Sequence, residues 1–159
     1  RVMLEARTLA KLLDALDIRP TDLVLDIGCG LGYSSAVIAR MAEAVVAVES
    51  EAGLATQAQK RLSAEGGDNV AVIEAPLGEG SAKHGPYDVI IIEGAAEVLP
   101  PAIEAQLKEG GRIGCLFMDG ALGVCRIGHK IDGAITWRYA FNAAAPVLPG
   151  FTKRPVFSL

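Results

Sequence analysis

The run Asp26-Ile-Gly-Cys-Gly-Leu-Gly-Tyr33 constrains this chain more than any other stretch: Gly28, Gly30 and Gly32 follow a short apolar segment and precede a helical pattern. Glycine reaches positive φ and lets the backbone approach a ligand with no Cβ in the way. The helix that follows presents N–H groups without intrahelical partners. A glycine loop between strand and helix is a nucleotide-binding arrangement, although the same spacing also serves as a plain tight turn.

The surrounding pattern supplies the context. Apolar residues recur at helical spacing through Glu5 to Leu16, and Pro20 stops any continuation. From Asp22 to the glycines the chain is too brief for a helix and reads as a strand buried on both faces. A helix over Tyr33 to Met41, a strand over Ala44 to Val48 and a helix over Glu51 to Ala64, ended by Gly66-Gly67, follow in turn. Val70 to Ile73, Tyr87 to Ile92 and Arg112 to Phe117 read as further strands, with a short proline-led helix over Pro101 to Leu107. Alternation of this kind predicts an α/β fold, a doubly wound, mostly parallel sheet with helices on both faces. Past Asp119 the rhythm changes: Val124 to Ile131 and Ile135 to Phe141 flank Asp132-Gly133, which predicts an antiparallel hairpin at the C-terminal edge. With no repeat or linker-like tract, residues 1–159 read as a single domain.

Composition narrows the function classes. At 51% hydrophobic the 159 residues can bury a real core, and a net charge of −4 leaves no basic footprint for nucleic acid. The apolar runs fall far short of the roughly 20 residues that span a bilayer, so no membrane role is expected. Cys29, Cys115 and Cys125 form neither a disulfide framework nor a metal motif, which favours a reducing, cytoplasmic setting. The chain opens on Arg1 rather than Met, and we expect an N-terminal piece to precede it.

Two acids bear on what the loop holds. Glu49 comes 23 residues after Asp26, where a carboxylate accepts hydrogen bonds from the ribose hydroxyls of an adenosine; a solvated strand-end acid is the alternative. Asp26, directly before the glycines, opposes a pyrophosphate yet suits the methionine end of S-adenosylmethionine; a helix cap is its alternative. A dinucleotide loop would carry its third glycine where Tyr33 stands, which weighs against an NAD-dependent oxidoreductase.

Val24-Leu-Asp-Ile-Gly-Cys-Gly-Leu-Gly-Tyr-Ser-Ser-Ala-Val-Ile-Ala39 resembles the first motif of Rossmann-like methyltransferases, and its Gly-Tyr-x-x-Ala-Val ending is most similar to protein-L-isoaspartate O-methyltransferases. Val46-Ala-Val-Glu-Ser50, Pro86-Tyr-Asp-Val-Ile-Ile-Ile92, Val98-Leu-Pro100 and Gln106-Leu-Lys-Glu-Gly-Gly-Arg112 are similar to later blocks of that family. The resemblance runs from about Glu5 to Phe117 and implies an S-adenosylmethionine-dependent methyltransferase acting on a protein or peptide, with a family N-terminal helical segment absent from this chain. It implies cofactor contacts from Asp26, Gly28, Cys29, Gly30, Gly32, Tyr33, Glu49 and Ser50. Pro76 and Leu77 are expected to join them, because Ala75-Pro76-Leu77 stands where the family has Gly-Asp-Gly with its aspartate near the adenine. Leu4 stands where the family has a serine beside the methyl-accepting carboxylate, so isoaspartyl activity is in doubt. A non-catalytic cofactor-binding relative and a different acceptor are the alternatives.

Other residues are weaker candidates. Glu93, at the end of the fourth strand, points into the ligand crevice by the rule for open α/β sheets, or else is an exposed loop acid. His84 and His129 lack partners at metal-ligand spacing, and no metal is expected. Cys29 has no accompanying histidine, and no catalytic side chain is assigned. Trp137, Tyr139 and Phe141 alternate, which predicts one sheet face packed in the core or an interface.

Overall fold

A computed structural model describes residues 2–153. Its elements in chain order are α1 (Ala6–Leu16), β1 (Leu23–Ile27), α2 (Tyr33–Ala39), β2 (Ala44–Glu49), α3 (Ala52–Ala64), β3 (Val70–Glu74), β4 (Tyr87–Ala96), α4 (Pro101–Ala105), β5 (Leu107–Asp119), β6 (Leu122–Ile131) and β7 (Ala134–Asn142). The strands form one sheet in the order β3-β2-β1-β4-β5-β6-β7. β1 through β5 pair in parallel, and β6 and β7 close the edge antiparallel.

Strand residues alternate between two apolar layers. Val24, Val45, Ala47, Val89 and Ile91 face Leu12 and Leu16 of α1, Ile38 of α2 and Leu62 of α3. Leu25, Val46, Val48, Ile90 and Ile92 face the other way, toward Ile103 of α4 and Phe151. Both sides of the central strands are therefore dry, which is why they read as unbroken apolar runs in sequence. Each such side chain contributes about 1.5–3 kcal/mol by leaving water. Among the described residues, no helix is long and apolar enough to cross a membrane.

Several boundaries differ from the sequence reading. β4 and β5 run longer than their apolar cores, and Leu107 opens β5 rather than closing α4, because it pairs with Tyr87 at the start of β4. The hairpin turns at Asp132 and Gly133 with φ of 53° and 78°, and Glu109 accepts both their N–H groups. The aromatic run is corrected. Cys125 pairs with Phe141 but Arg126 with Tyr139, so Ala140 is an extra residue on β7. That bulge changes the phase of the strand. Trp137 packs edge-on against Phe117, with ring centroids 4.9 Å apart, in one layer, whereas Phe141 lies in the other, under Lys11. Tyr139 is exposed and joins neither core.

Candidate functional site

Strand order reverses between β1 and β4, and an open sheet splays there at its carboxyl edge to leave a crevice. The glycine loop leaves β1 at that point. Its three glycines have φ of 83°, 56° and 89°, so the left-handed turns predicted from the sequence are present. The N–H groups of Gly28 and Cys29 donate to Val48 O at 2.8 and 3.2 Å, fixing the loop to the end of β2. Gly32 faces Ala58 and Leu62, where an added Cβ would meet atoms at 3.3–3.4 Å; its place is the packing of α2 on α3.

Glu49 is fully buried. One carboxylate oxygen accepts the N–H of Gly30 at 3.0 Å, and the other accepts that of Glu51, also at 3.0 Å. It is thus no solvated acid; it ties the loop to the start of α3. Asp26 is buried beneath the loop, where one oxygen accepts the hydroxyls of Ser34 at 2.9 Å and Ser35 at 2.6 Å. Its other oxygen receives no hydrogen bond, and neither does Oε1 of Glu93. Burial, and then the charge of Asp26, pushes the Glu93 carboxyl well above the usual range, so it keeps its proton and donates to Asp26. Burial and the nearby acids Asp26, Glu49 and Glu93 likewise raise the Cys29 thiol, which stays protonated and is no nucleophile.

Two cavities flank the loop. The smaller, about 40 Å³, lies against Gly28, Cys29, Gly30 and Tyr33, with Glu93 on one side and Leu4 and Leu9 on the other. The larger, about 590 Å³, lies at the ends of β2 and β3, bounded by Ser50, Pro76, Leu77 and Glu79 and by Pro149 and Gly150. Chain geometry therefore brings Gly28, Cys29, Gly30, Tyr33 and Glu93 together at one end and Ser50, Pro76 and Leu77 at the other. Asp26, Gly32 and Glu49 line neither cavity and act from behind the loop.

The sequence reading missed the stretch after β7. Leu148 N–H donates to Ala95 O at 2.9 Å, Ala95 N–H donates to Pro146 O at 3.0 Å, and Phe151 O accepts from Glu97 and Val98. This segment lies along the end of β4 and sets Leu148 beside Gly28 and Gly94. Leu148-Pro149-Gly150 looks only like a turn in sequence, and no periodicity marks it.

A family model, protein-L-isoaspartate(D-aspartate) O-methyltransferase, matches residues 3–118. The chain belongs to that family. Protein-L-isoaspartate O-methyltransferase 2 of Polaromonas sp. (strain JS666) is 36% identical over 145 residues, covering 89% of this chain and 68% of that relative. Protein-L-isoaspartate O-methyltransferase 1 of the same strain is 39% identical over 104 residues, covering 65% of this chain and 44% of that relative. The chain thus spans about half the length of the first of the curated relatives it matches, 44% and 47% for two of them. A solved protein-L-isoaspartate O-methyltransferase shares the fold at a TM-score of 0.85 and 24% identity, over 91% of this chain and 48% of that one. A Plasmodium falciparum structure of the same description, in complex with S-adenosyl-L-homocysteine, gives 0.76 and 19%, over 91% and 74%. Against the family's pattern, Leu4 sits 8% exposed on the wall of the small cavity and offers no hydroxyl.

Proposed function

We propose that the chain is an S-adenosylmethionine-dependent methyltransferase. The observation that carries this reading is Glu49, an acid at the end of β2 whose buried carboxylate holds the Gly30 N–H beside the crevice where the strand order reverses. Together with its bond to the Glu51 N–H, this sets the glycine loop and the start of α3 at the strand end where a ribose would lie. The larger cavity at Pro76, Leu77 and Glu79 suits the adenine, and the methionine end then falls over Gly28 to Gly30, toward the buried acids. The donor supplies a methyl group on a cationic sulfur, already strongly electrophilic. What remains for the chain is to bind, align and exclude water. Three buried, unpaired cysteines support a reducing, cytoplasmic setting.

Isoaspartyl carboxylates are the family's acceptor, and the small cavity argues against them here. Leu4 and Leu9 make one wall apolar, and of the two hydroxyls that line the cavity, Tyr33 and Ser34, the second is already donated to Asp26, so a carboxylate there is costly to desolvate. Calorimetric titration with S-adenosylmethionine, S-adenosylhomocysteine and NAD tests the donor assignment. The first two are expected to bind and NAD is not. Glu49→Ala should weaken S-adenosylhomocysteine by roughly ten- to a hundred-fold, because the loop loses the charge-assisted bonds that tie Gly30 to the start of α3. Unchanged affinity in that variant, or binding of NAD instead, overturns the reading.

A further inference from the structure

The carboxyl edge of the sheet continues past Glu93. Two extra residues of β4 are accommodated there, since Ile91 pairs with Gly114 but Ala95 with Leu116. Beyond the last residue of β4 a further cavity of about 410 Å³ opens, bounded by Glu97, by Phe117 and Asp119 at the end of β5, by Arg126 of β6 and by Lys153. In the sheet order it follows the ends of β3, β2, β1 and β4, so a donor lying over the first three has this cavity on the acceptor's side. Glu93 and Glu97 are four positions apart, at most about 13 Å of strand, the reach of about four residues of an extended peptide.

Arg126 meets that cavity with its charge unspent. Its guanidinium lies over the Phe117 ring, 5.7 Å from the centroid, and Phe117 is in turn packed edge-on by Trp137. Among the described residues Arg126 makes no hydrogen bond and no ion pair. Residues 1 and 154–159 contain no Asp or Glu that could supply one. The acids on the same wall stand off: Arg126 pairs with Cys115, and Asp119 is four residues farther along β5, about 13 Å by strand rise. Glu97 accepts the Lys153 N–H at 3.1 Å. An arginine held by an aromatic stack keeps its five N–H donors for a partner, with part of its side-chain ordering already done.

Resting on the methyltransferase reading above, we propose that this cavity docks the acceptor polypeptide away from its reacting residue, with Arg126 taking the carboxylate of an Asp or Glu about four residues along the peptide. A planar guanidinium receives a carboxylate through two parallel hydrogen bonds, which fixes the peptide's orientation as well as its place. Glu97 and Asp119 set against Arg126 and Lys153 offer no run of cations for a polyanion such as nucleic acid, yet leave a place for one carboxylate. Tyr139 stands directly opposite Arg126 on β7 and is 62% exposed, which gives the neighbouring peptide residues a ring to lie on. The acceptor is thereby selected by its sequence beyond the residue that is methylated.

Short labelled peptides test this by fluorescence anisotropy on the full chain saturated with S-adenosylhomocysteine. One pair carries an isoaspartyl residue flanked, four positions to either side, by Glu or by Gln; a second pair carries ordinary Asp in place of the isoaspartyl residue. In whichever pair binds, the Glu peptide should bind about three- to ten-fold more tightly than its Gln counterpart. Arg126→Gln should bring that ratio to one and Arg126→Lys should keep part of it, while both variants hold S-adenosylhomocysteine as wild type does, which shows that they fold. A ratio near one in wild type, the same ratio in wild type and Arg126→Gln, or no binding by any of the four peptides overturns the proposal. If S-adenosylhomocysteine binds wild type and only the peptide preference fails, the methyltransferase reading stands and the docking site falls. If S-adenosylhomocysteine does not bind wild type, that reading falls and the docking site with it.

Discussion

At the scale of single residues, Glu93 couples the site to pH. Its carboxyl titrates well above the usual range because it is buried and faces Asp26. The folded chain therefore holds a proton that the unfolded chain releases once pH passes the ordinary glutamate value of about 4.3. Stability from this group is fully present below that value and is lost as pH rises toward the folded pKa, at up to about 1.4 kcal/mol per pH unit. Glu93→Gln keeps the shape and removes the titration, so its stability relative to wild type should grow as pH rises above the ordinary glutamate value toward the raised folded pKa. Urea unfolding of both proteins across that range measures the difference, and parallel curves would refute the assignment. Glycine loop, Glu49 and Asp26 were legible in sequence as residues at strand ends. The division of labour among them was not, because a ribose ligand and a loop anchor look the same at the level of spacing.

Elements were legible where burial on both faces leaves an unbroken apolar run, as in β1, β2 and the first half of β4. They were illegible where pairing is irregular. The bulge at Ala140 put Phe141 in the opposite layer from Trp137, and no property of those residue types announces an inserted position. The irregular stretch of β4 has a similar effect and a sharper test. A Cβ on Gly94 would lie 2.6 Å from two side-chain carbons of Leu148, so Gly94→Ala must displace that buried side chain or the segment that carries it. Overpacking of this kind costs about 1–3 kcal/mol. Gly94→Ala is expected to lose that much stability in denaturant titration and to weaken S-adenosylhomocysteine, and the added substitution Leu148→Ala should restore part of the first loss. Absence of any rescue in the double variant would place the strain elsewhere.

Across the whole molecule, one cluster joins β5 to the end of α1 and the start of β1. Arg112 of β5 donates to Asp22 at 2.6 Å, to Leu16 O at the end of α1 at 2.8 Å and to Asp17 O at 3.0 Å. Both charged side chains are largely buried, at 14% and 7% exposure. Removing one partner strands the other, so Arg112→Ala should cost about 3–5 kcal/mol, read from the urea midpoint, whereas Arg112→Lys should recover only part because it lacks the fork that reaches all three acceptors. Such a pair could not be foreseen, since it joins residues 90 positions apart whose types are common on any surface. The segment from Pro146 to Phe151 that walls the crevice has its own consequence in time. Chains emerge from the ribosome N-terminus first, at about 5–20 residues per second. Every strand of the sheet is made before this wall, so a nascent chain assembles its glycine loop and its buried acids while the crevice is still open on that side. Leu148 and Phe151 are buried in the layer above β4, so a chain stalled after β7 would still show that apolar face and the side of Gly28 to water.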